Sequence, residues 1–181
     1  AFMSSVKHES GSDRIAEFVN DIDADLILNV QGDEPFIDKP SLKKLIDVFN
    51  NDSQSKIELA SLMQYINDKD EIVNPNNIKV VVTKDNYAIY FSRSVIPYNR
   101  SSDPKIKYYK HVGVYAFRKN TLIDFYKLKP SSLEKSEKLE QLRYIENGKN
   151  IKMVKTDYKG YGIDVMEDLI NARKMINAEN S

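Results

Sequence analysis

Cysteine and tryptophan are absent from this chain, and histidine occurs only twice in its 181 residues. Without cysteine the chain can form neither a disulfide framework nor a thiolate zinc site, and two separated histidines cannot form a histidine-rich metal site. Oxygen ligands remain, and these are the ligands that magnesium and calcium prefer. Any metal ion bound here is therefore expected to be one of those two.

An excess of charge of one sign is also lacking, because 27 basic residues balance 27 acidic ones. Interspersed charges of this kind create no long-range field that would draw the chain onto a nucleic acid or an acidic membrane surface. No apolar stretch approaches the length of a membrane span, and residues 1–5 lack the layout of a signal peptide. We therefore expect no nucleic-acid or membrane partner, and a cytoplasmic location.

The composition that is present, 41% hydrophobic and 30% charged, is typical of a folded domain. Short apolar runs predict strands over 26–30, 59–66, 78–83, 87–91, 108–117 and 151–156. Apolar residues at helical spacing predict helices over 15–19, 40–49, 131–148 and from 164 onward. Ser12 and Asp13 are candidate caps of the first helix. With no repeat or linker, residues 1–181 are expected to form one α/β domain with a mixed sheet.

Two adjacent carboxylates, Asp33 and Glu34, directly follow the buried strand 26–30. The carboxyl end of a strand is where open α/β sheets bind their ligands. A simple turn around Gly32, with its acids in water, is the alternative interpretation. The neighbouring Gln31 favours a site, because a loop that serves only to turn needs no amide beside two carboxylates.

Asp164 is a further carboxylate of interest, and Glu167 and Asp168 follow it. An acidic residue at a helix start with another three positions later is ordinary capping chemistry, so capping is the simpler interpretation. Alternatively, Asp164 converges with Asp33 on one hard cation, since magnesium commonly takes one or two protein carboxylates together with phosphate oxygens. That arrangement is meaningful only with a phosphorylated substrate.

Arg93 and His111 lie at the edges of apolar strand segments, where each could meet an anion. A solvated arginine and a structural histidine are the alternatives. Glu140 and Gln141 lie off the apolar stripe of their predicted helix, and could bind sugar hydroxyls or form a solvated face. Arg14 could touch a nucleotide or pair with an acidic neighbour on its own helix.

Seven motifs follow one another along the chain. They are SGSDRIAE at 10–17, NVQGDEP at 29–35, NNIKVV at 76–81, YFSR at 90–93 with IP at 96–97, HVGVY at 111–115, LEQLR at 139–143, and GID at 162–164 with EDL at 167–169. Together they resemble the 3-deoxy-D-manno-octulosonate (KDO) cytidylyltransferase family, also called CMP-KDO synthetase. The resemblance covers nearly the whole chain, and the QGDEP version separates this family from the related sialic acid activators.

This resemblance implies a Rossmann-like nucleotidyltransferase fold, a homodimer and a cytoplasmic enzyme of lipopolysaccharide biosynthesis. The implied reaction is CTP plus KDO giving CMP-KDO and pyrophosphate. In it the anomeric hydroxyl of the sugar attacks the α-phosphorus of CTP between repelling anions. A magnesium ion bridging phosphate and nucleophile lowers that barrier by positioning and charge neutralisation.

The family's site residues can be carried over to matching positions of this chain. Asp33 and Asp164 match the carboxylates that hold magnesium, and with Arg93 they form the implied catalytic set. The matching nucleotide contacts are Ser10, Gly11, Ser12, Asp13, Arg14 and Gln31. The matching sugar-acid pocket consists of Arg93, His111, Tyr115, Glu140 and Gln141.

The chain departs from the family pattern at two places. Val165 and Met166 follow Asp164 where the family has Thr-Pro, and the strand and basic, glycine-bearing triphosphate loop that open the family do not occur before Ala1. We therefore expect an N-terminally incomplete fold, covering roughly the C-terminal two thirds of the family's domain. Without the donors of that loop, we expect the isolated chain to release little or no pyrophosphate from CTP and KDO.

Two other functions are compatible with the sequence. One is a non-catalytic domain of the same fold that binds a sugar or mediates dimerisation, although the joint presence of Asp33, Asp164, Arg93 and His111 argues against it. The other is a cytidylyltransferase for an amino-substituted KDO, which residue types alone do not exclude.

Overall fold

The computed structural model describes residues 3–4, 7–8, 11–101, 105–158, 162–163 and 166–179. The strands are β1 (Leu26–Val30), β2 (Leu59–Ile66), β3 (Lys79–Val82), β4 (Ala88–Ser92), β5 (Tyr108–Arg118) and β6 (Ile151–Thr156). The helices are α1 (Gly11–Phe18), α2 (Lys39–Asn50), α3 (Lys69–Val73), α4 (Lys119–Lys127), α5 (Ser132–Glu137), α6 (Gln141–Glu146) and α7 (Met166–Glu179). Each predicted strand is present, to within one residue at either end.

The strands form one six-stranded mixed sheet, as predicted, and the long strand β5 organises it. On one side β5 pairs antiparallel with β1 along its C-terminal half and with β3 at Lys110. On its other side it pairs antiparallel with β2 along most of its length. Strand β6 adds parallel to β2, and β4 forms an antiparallel hairpin with β3.

Apolar side chains cover both faces of this sheet. One face, with Leu59, Met63 and Phe117, packs against side chains of α1, α4 and α6. The opposite face, with Leu62 and Val114, packs against α2. A strand buried on both faces has a nearly continuous apolar sequence, which is why periodicity located β2 correctly. Among the described residues no helix combines the length and apolarity that crossing a bilayer requires.

The predicted helix over 131–148 is wrong, because the chain breaks it into α5 and α6. Lys138 adopts a left-handed conformation with φ of 56° and ends α5. The predicted capping box at Ser131 and Glu134 is present, and Leu139 and Leu142 are buried as their spacing indicated. The apolar repeat therefore located the buried face correctly, while the break follows from a backbone conformation that Lys rarely adopts.

The first helix also differs from its prediction. It begins at Gly11, so that Ser12 and Asp13 lie inside α1 and are buried there, rather than capping it from outside. Helices α3 and α4 were not predicted. Helix α3 is only five residues long, although Asp68 caps its start. Helix α4 begins without a side-chain cap, so the usual start signal is missing there.

Candidate active site

A cleft of about 1050 Å³ opens where β5, the loop after β1, the end of β4 and the α5–α6 region meet. Residues 111, 113 and 115 are every second residue of β5, and every second residue of a strand faces the same side of the sheet. The sequence-predicted residues that line the cleft are Gly11, Gln31, Asp33, Arg93, His111, Tyr115, Glu140 and Gln141. Segments distant in sequence thus meet at one site.

Gln31 packs between two glycines at one end of the cleft. A Cβ atom added to Gly11 would lie 2.8 Å from Gln31 Oε1, and one added to Gly113 would lie 3.6 Å from Gln31 Cγ. At the first distance the Gln31 amide would have to move. Gly11 therefore leaves room for the present position of the Gln31 side chain.

The loop after β1 is held by the groups around Glu34. Its carboxylate accepts a hydrogen bond from the Tyr158 hydroxyl, with 3.3 Å between Oη and Oε2. Burial raises the pKa of Glu34, and the nearby charge of Asp33 adds to this rise, whereas the backbone N–H of Gly113 opposes it. Asp33 itself is exposed. One carboxylate of the predicted pair thus binds the protein, and the other faces solvent at the cleft.

A backbone hydrogen bond brings the chain after β6 to this loop. The N–H of Ile163 donates to the carbonyl oxygen of Asp33 over 2.7 Å. Asp164, the second predicted metal ligand, and Ser10, a predicted nucleotide contact, lie outside the described residues. Among the residues that are described, no group of three His, Cys, Asp or Glu side chains could hold a metal ion.

Arg93, directly after β4, also lines the cleft and is fixed there by backbone oxygen atoms. Its Nε donates to the carbonyl of Glu137 over 2.8 Å, and its Nη1 donates to that of Pro75 over 3.1 Å. The carboxylate of Glu137 is occupied by the Ser92 hydroxyl and the Arg93 backbone N–H. The guanidinium thus has a fixed position beside the cleft, which suits recognition of a carboxylate.

Lys79 supports the same region, and sequence reasoning missed it. Although charged, it is fully buried, and its Nζ donates to the carbonyls of Asn74 and Asn77 over 2.8 and 2.6 Å. Burial lowers its pKa, and the charge of Arg93 lowers it further. A lysine at the start of an apolar strand, after a run of asparagines, was the available signal.

His111 lies in the wall of the cleft as a neutral ring. Its Nε2 is 2.8 Å from the hydroxyl oxygen of Ser61, a buried residue of β2. Burial lowers the pKa of His111 to about 3, so it carries no charge at neutral pH. Of the two predicted anion contacts, the structure therefore favours Arg93.

Tyr115, Gln141 and Glu140 form a buried polar wall. The Tyr115 hydroxyl donates to Gln141 Oε1 over 3.2 Å, and burial raises the pKa of Tyr115 well above its usual value. Gln141 is only 3% exposed, and its Nε2 is buried with no hydrogen-bond partner among the described residues. A solvated helix face, the alternative for Gln141, is therefore wrong, and the amide has a donor available for a ligand.

Ser12 and Asp13 contact protein groups behind this wall instead of lining the cleft. Ser12 Oγ donates to Glu140 Oε1 over 2.8 Å and accepts from Asn29 Nδ2 over 3.0 Å. Asp13 pairs with the buried Arg143 at 3.4 Å. Both thus hold α1 against its neighbours, and their contact with a nucleotide stays a prediction.

Arg14 is exposed on α1 and does not line the cleft, so its contact with a nucleotide also stays a prediction. Glu17, the acidic neighbour on the same helix, accepts hydrogen bonds from Ser4 and contacts His8, each at 2.6 Å.

Known proteins with a similar sequence and structure agree on one family. The cytidylyltransferase family matches residues 1–151. A 3-deoxy-manno-octulosonate cytidylyltransferase of Flavobacterium johnsoniae is 58% identical over 97% of this chain and 72% of its own length. The protein of the same name from Christiangramia forsetii is 54% identical over 96% of this chain and 70% of its own length.

Among solved structures, CMP:2-keto-3-deoxy-manno-octonic acid synthetase complexed with CTP superimposes with a TM-score of 0.87 and 38% identity, over 95% of this chain and 70% of that one. The nucleotidyltransferase fold expected from the sequence is therefore confirmed. The chain belongs to the cytidylyltransferase family, and within it to the 3-deoxy-manno-octulosonate cytidylyltransferases, or CMP-KDO synthetases.

Proposed function

We propose that this chain carries the active site that transfers CMP from CTP to KDO, giving CMP-KDO and pyrophosphate for lipopolysaccharide biosynthesis. The observation that carries the proposal is the cleft, which is lined by Gln31 and Asp33 together with Arg93, His111 and Gln141. Relatives that share this sequence over nearly its whole length have the same named activity. A nucleotide end and a sugar-acid end in one cleft are what this transfer requires.

The reaction joins the anomeric oxygen of KDO to the α-phosphorus of CTP. The bond from that phosphorus to the oxygen bridging to the β-phosphate breaks, pyrophosphate leaves, and the hydroxyl proton is released. No covalent enzyme intermediate is needed, so the protein acts by positioning two anionic substrates and compensating their charge. Gln31 binds the nucleotide, and Arg93 binds the carboxylate of the sugar acid.

The polar wall of the cleft orients the sugar. The buried Nε2 of Gln141 donates to an oxygen of KDO, and Tyr115 holds that amide in place through its hydroxyl. Glu140 accepts from a sugar hydroxyl while Ser12 fixes its other oxygen. Because the protein itself orients these side chains, little conformational entropy is lost when the sugar binds.

Magnesium is the cofactor that we propose, held by Asp33 and Asp164. The donor set fits, since Asp33 exposes a carboxylate at the cleft and the residue before Asp164 is hydrogen-bonded to the Asp33 backbone. One or two carboxylates suffice when phosphate oxygens complete the coordination. When bound, the ion supplies charge neutralisation and orientation at the reacting phosphate. We further propose a cytoplasmic homodimer.

Isothermal titration calorimetry with CMP-KDO, with and without magnesium, tests the site. We expect metal-dependent binding that Asp33→Asn weakens by at least about tenfold, as loss of a charged contact of ~1.5–3 kcal/mol implies. Asp23→Asn is the matched control, because Asp23 is also an exposed loop aspartate but lies away from the cleft.

Binding that needs no metal and survives Asp33→Asn would instead identify a sugar-binding module. Repeating the titration with the CMP derivative of the amino-substituted KDO separates the two possible sugar acids.

A further inference from the structure

Ser61 is a buried residue of β2 that no site prediction included, yet it contacts the cleft through His111. It is fully inaccessible to solvent. Its Oγ lies 2.8 Å from His111 Nε2, 2.8 Å from the carbonyl oxygen of Val114 and 3.4 Å from that of Val112. These contacts determine where the hydrogen atoms lie.

A serine hydroxyl has one hydrogen to donate, and a carbonyl oxygen can only accept. The 2.8 Å contact between Ser61 and the Val114 carbonyl therefore uses the hydroxyl hydrogen. The equally short contact with His111 needs a hydrogen of its own, and only the ring can provide it. His111 is thus protonated at Nε2 and donates that hydrogen to Ser61.

The ring of His111 is neutral, so it carries no second N–H. It packs 5.1 Å from the ring of Phe91 and 5.3 Å from that of Tyr115, between centroids. This aromatic environment explains why burial lowers its pKa to about 3. Nδ1 is therefore a bare acceptor, and among the described residues it has no hydrogen-bond partner.

The cleft contains donors as well as acceptors. Arg93, Lys135 and Lys138 line it as basic residues, Gln141 presents a buried amide hydrogen, and Glu140 is an acceptor. Nδ1 discriminates between functional groups, because a carboxylate or phosphate oxygen facing it would place lone pairs opposite each other. A hydroxyl group can donate to Nδ1 and accept from its neighbours.

We propose that Ser61 is a positioning residue that holds His111 in the Nε2–H tautomer, so that Nδ1 accepts a hydrogen bond from a hydroxyl group of the sugar substrate. The substrate half of this inference rests on the proposed function. The tautomer assignment does not, because it follows from the contacts of Ser61 and from the aromatic packing of the His111 ring. Ser61 thereby contributes to specificity without touching the substrate.

Nitrogen-15 NMR of the imidazole ring tests the tautomer in the ligand-free protein. The chain has only two histidines, so His8→Gln leaves His111 as the single imidazole in the spectrum. We expect Nε2 to be protonated and Nδ1 to be unprotonated at neutral pH. In Ser61→Ala we expect a mixture of both tautomers. A ring protonated at Nδ1 alone, or at both nitrogens, would overturn the role of Ser61.

Calorimetry with KDO and with derivatives that each lack one hydroxyl tests the substrate contact. For the wild type, we expect one derivative to bind about tenfold or more weakly than KDO, because Nδ1 then faces no donor. Ser61→Ala should reduce this preference several-fold. Ser41→Ala is the matched control, since it also removes a buried serine hydroxyl bond, to Thr156, but away from the cleft.

His111→Phe serves where Ser61→Ala does not fold, because it keeps a ring and removes both nitrogens. It should abolish the preference for that one hydroxyl. If His111→Phe still binds that one derivative as much more weakly than KDO as the wild type does, the proposed hydroxyl contact is wrong. If KDO does not bind the wild type while the NMR finds Nε2–H, the proposed function fails together with the substrate contact, and the tautomer assignment stands.

Discussion

At the scale of single residues, the cleft depends on side chains that the protein orients before any ligand arrives. Arg93 is bonded to two carbonyls, and the hydroxyl of Tyr115 holds the amide of Gln141. Preorganised donors of this kind act without reorganising when charge or polarity appears in front of them. Small changes at residues that touch only protein are therefore expected to affect binding.

Gly11→Ala is the sharpest test of this expectation. The added Cβ would lie 2.8 Å from Oε1 and 3.0 Å from Nε2 of Gln31, so the amide has to move. Because these atoms are the far end of a flexible side chain, the fold tolerates the shift, and we expect CTP affinity to fall about tenfold as the Gln31 amide leaves its position. Titration calorimetry with CTP measures the change.

Gly32→Ala is the control for that variant, because an added Cβ at position 32 meets nothing within 4 Å. It should bind CTP like the wild type. Equal losses in the two variants would show that Gln31 does not contact the nucleotide.

The depressed pKa of His111 makes a prediction for stability against pH. The unfolded chain binds a proton near the usual pKa of 6.5, whereas the folded chain does so only near 3. The contribution of the neutral His111 ring to the free energy of unfolding is therefore fully present above pH 6.5. It is lost as the pH falls from 6.5 towards 3, with a slope of up to ~1.4 kcal/mol per pH unit.

Urea denaturation across the acidic range measures this slope. His111→Phe should reduce the slope relative to the wild type, and His8→Gln provides the comparison for a general effect of removing a histidine. If the free energy of unfolding depends on pH in the same way in His111→Phe as in the wild type, His111 is not buried as a neutral ring.

At the scale of elements, two cations clamp the segment between α3 and β3. Lys79 binds the carbonyls of Asn74 and Asn77, while Arg93 binds that of Pro75. The backbone of this segment thus forms part of the support for the guanidinium. The buried charge is tolerated because both carbonyls accept from it.

Lys79→Met should therefore affect more than stability. Loss of the two hydrogen bonds from this charged donor costs ~1–3 kcal/mol, and release of the segment should also weaken KDO binding through Arg93. Thermal denaturation and KDO titration measure the two effects. Lys84→Met, at the exposed turn of the same hairpin, should change neither. Lost stability with unchanged KDO affinity would confine Lys79 to a structural role.

Elements were predictable from the sequence wherever local pattern and packing agree. The apolar runs of β1, β2 and β5 identified buried strands, and the capping box identified the start of α5. The break at Lys138 was not predictable, because no glycine or proline marks it. Short helices without caps leave equally little trace in a sequence.

Some residues of the candidate site could likewise be predicted from the sequence, and others could not. Residues such as Asp33 and Arg93 stand out because polar chemistry follows directly after an apolar strand. Ser61 does not, because its partner His111 lies 50 residues further along the chain. Lys79 bonds to nearby carbonyls, but its link to the site runs through Arg93, which binds the same segment from β4. Tertiary contacts assign these roles, and local patterns do not contain them.

At the scale of the whole molecule, α7 presents apolar side chains to solvent. Met166 is 69% exposed, Ile170 47% and Ile176 42%. Other exposed apolar side chains are spread over the rest of the described residues, whereas α7 carries these three. Contiguous exposed apolar side chains can mark an interface between copies of a chain. This helix supports the proposed homodimer.

Ile170→Glu should weaken that dimer by at least about tenfold, because burial of an isoleucine side chain contributes ~1.5–3 kcal/mol. Sedimentation equilibrium measures the change. Asn171→Glu adds the same charge at the next, also exposed, position and should leave the association unchanged if Ile170 is at the interface. A monomer at all concentrations in the wild type would contradict the dimer.

The length of β5 has a consequence for which sugar acids can be used. Positions 111, 113 and 115 of this one strand contribute to the same cleft. Pairing with β1 holds residues 114–118, and the pairing with β2 shifts its register beside residues 113 and 114. Under the proposed function, one strand thus sets the spacing between the groups that contact the sugar and those beside the nucleotide. We therefore expect an acid one carbon longer or shorter to place its anomeric oxygen out of line with the α-phosphorus.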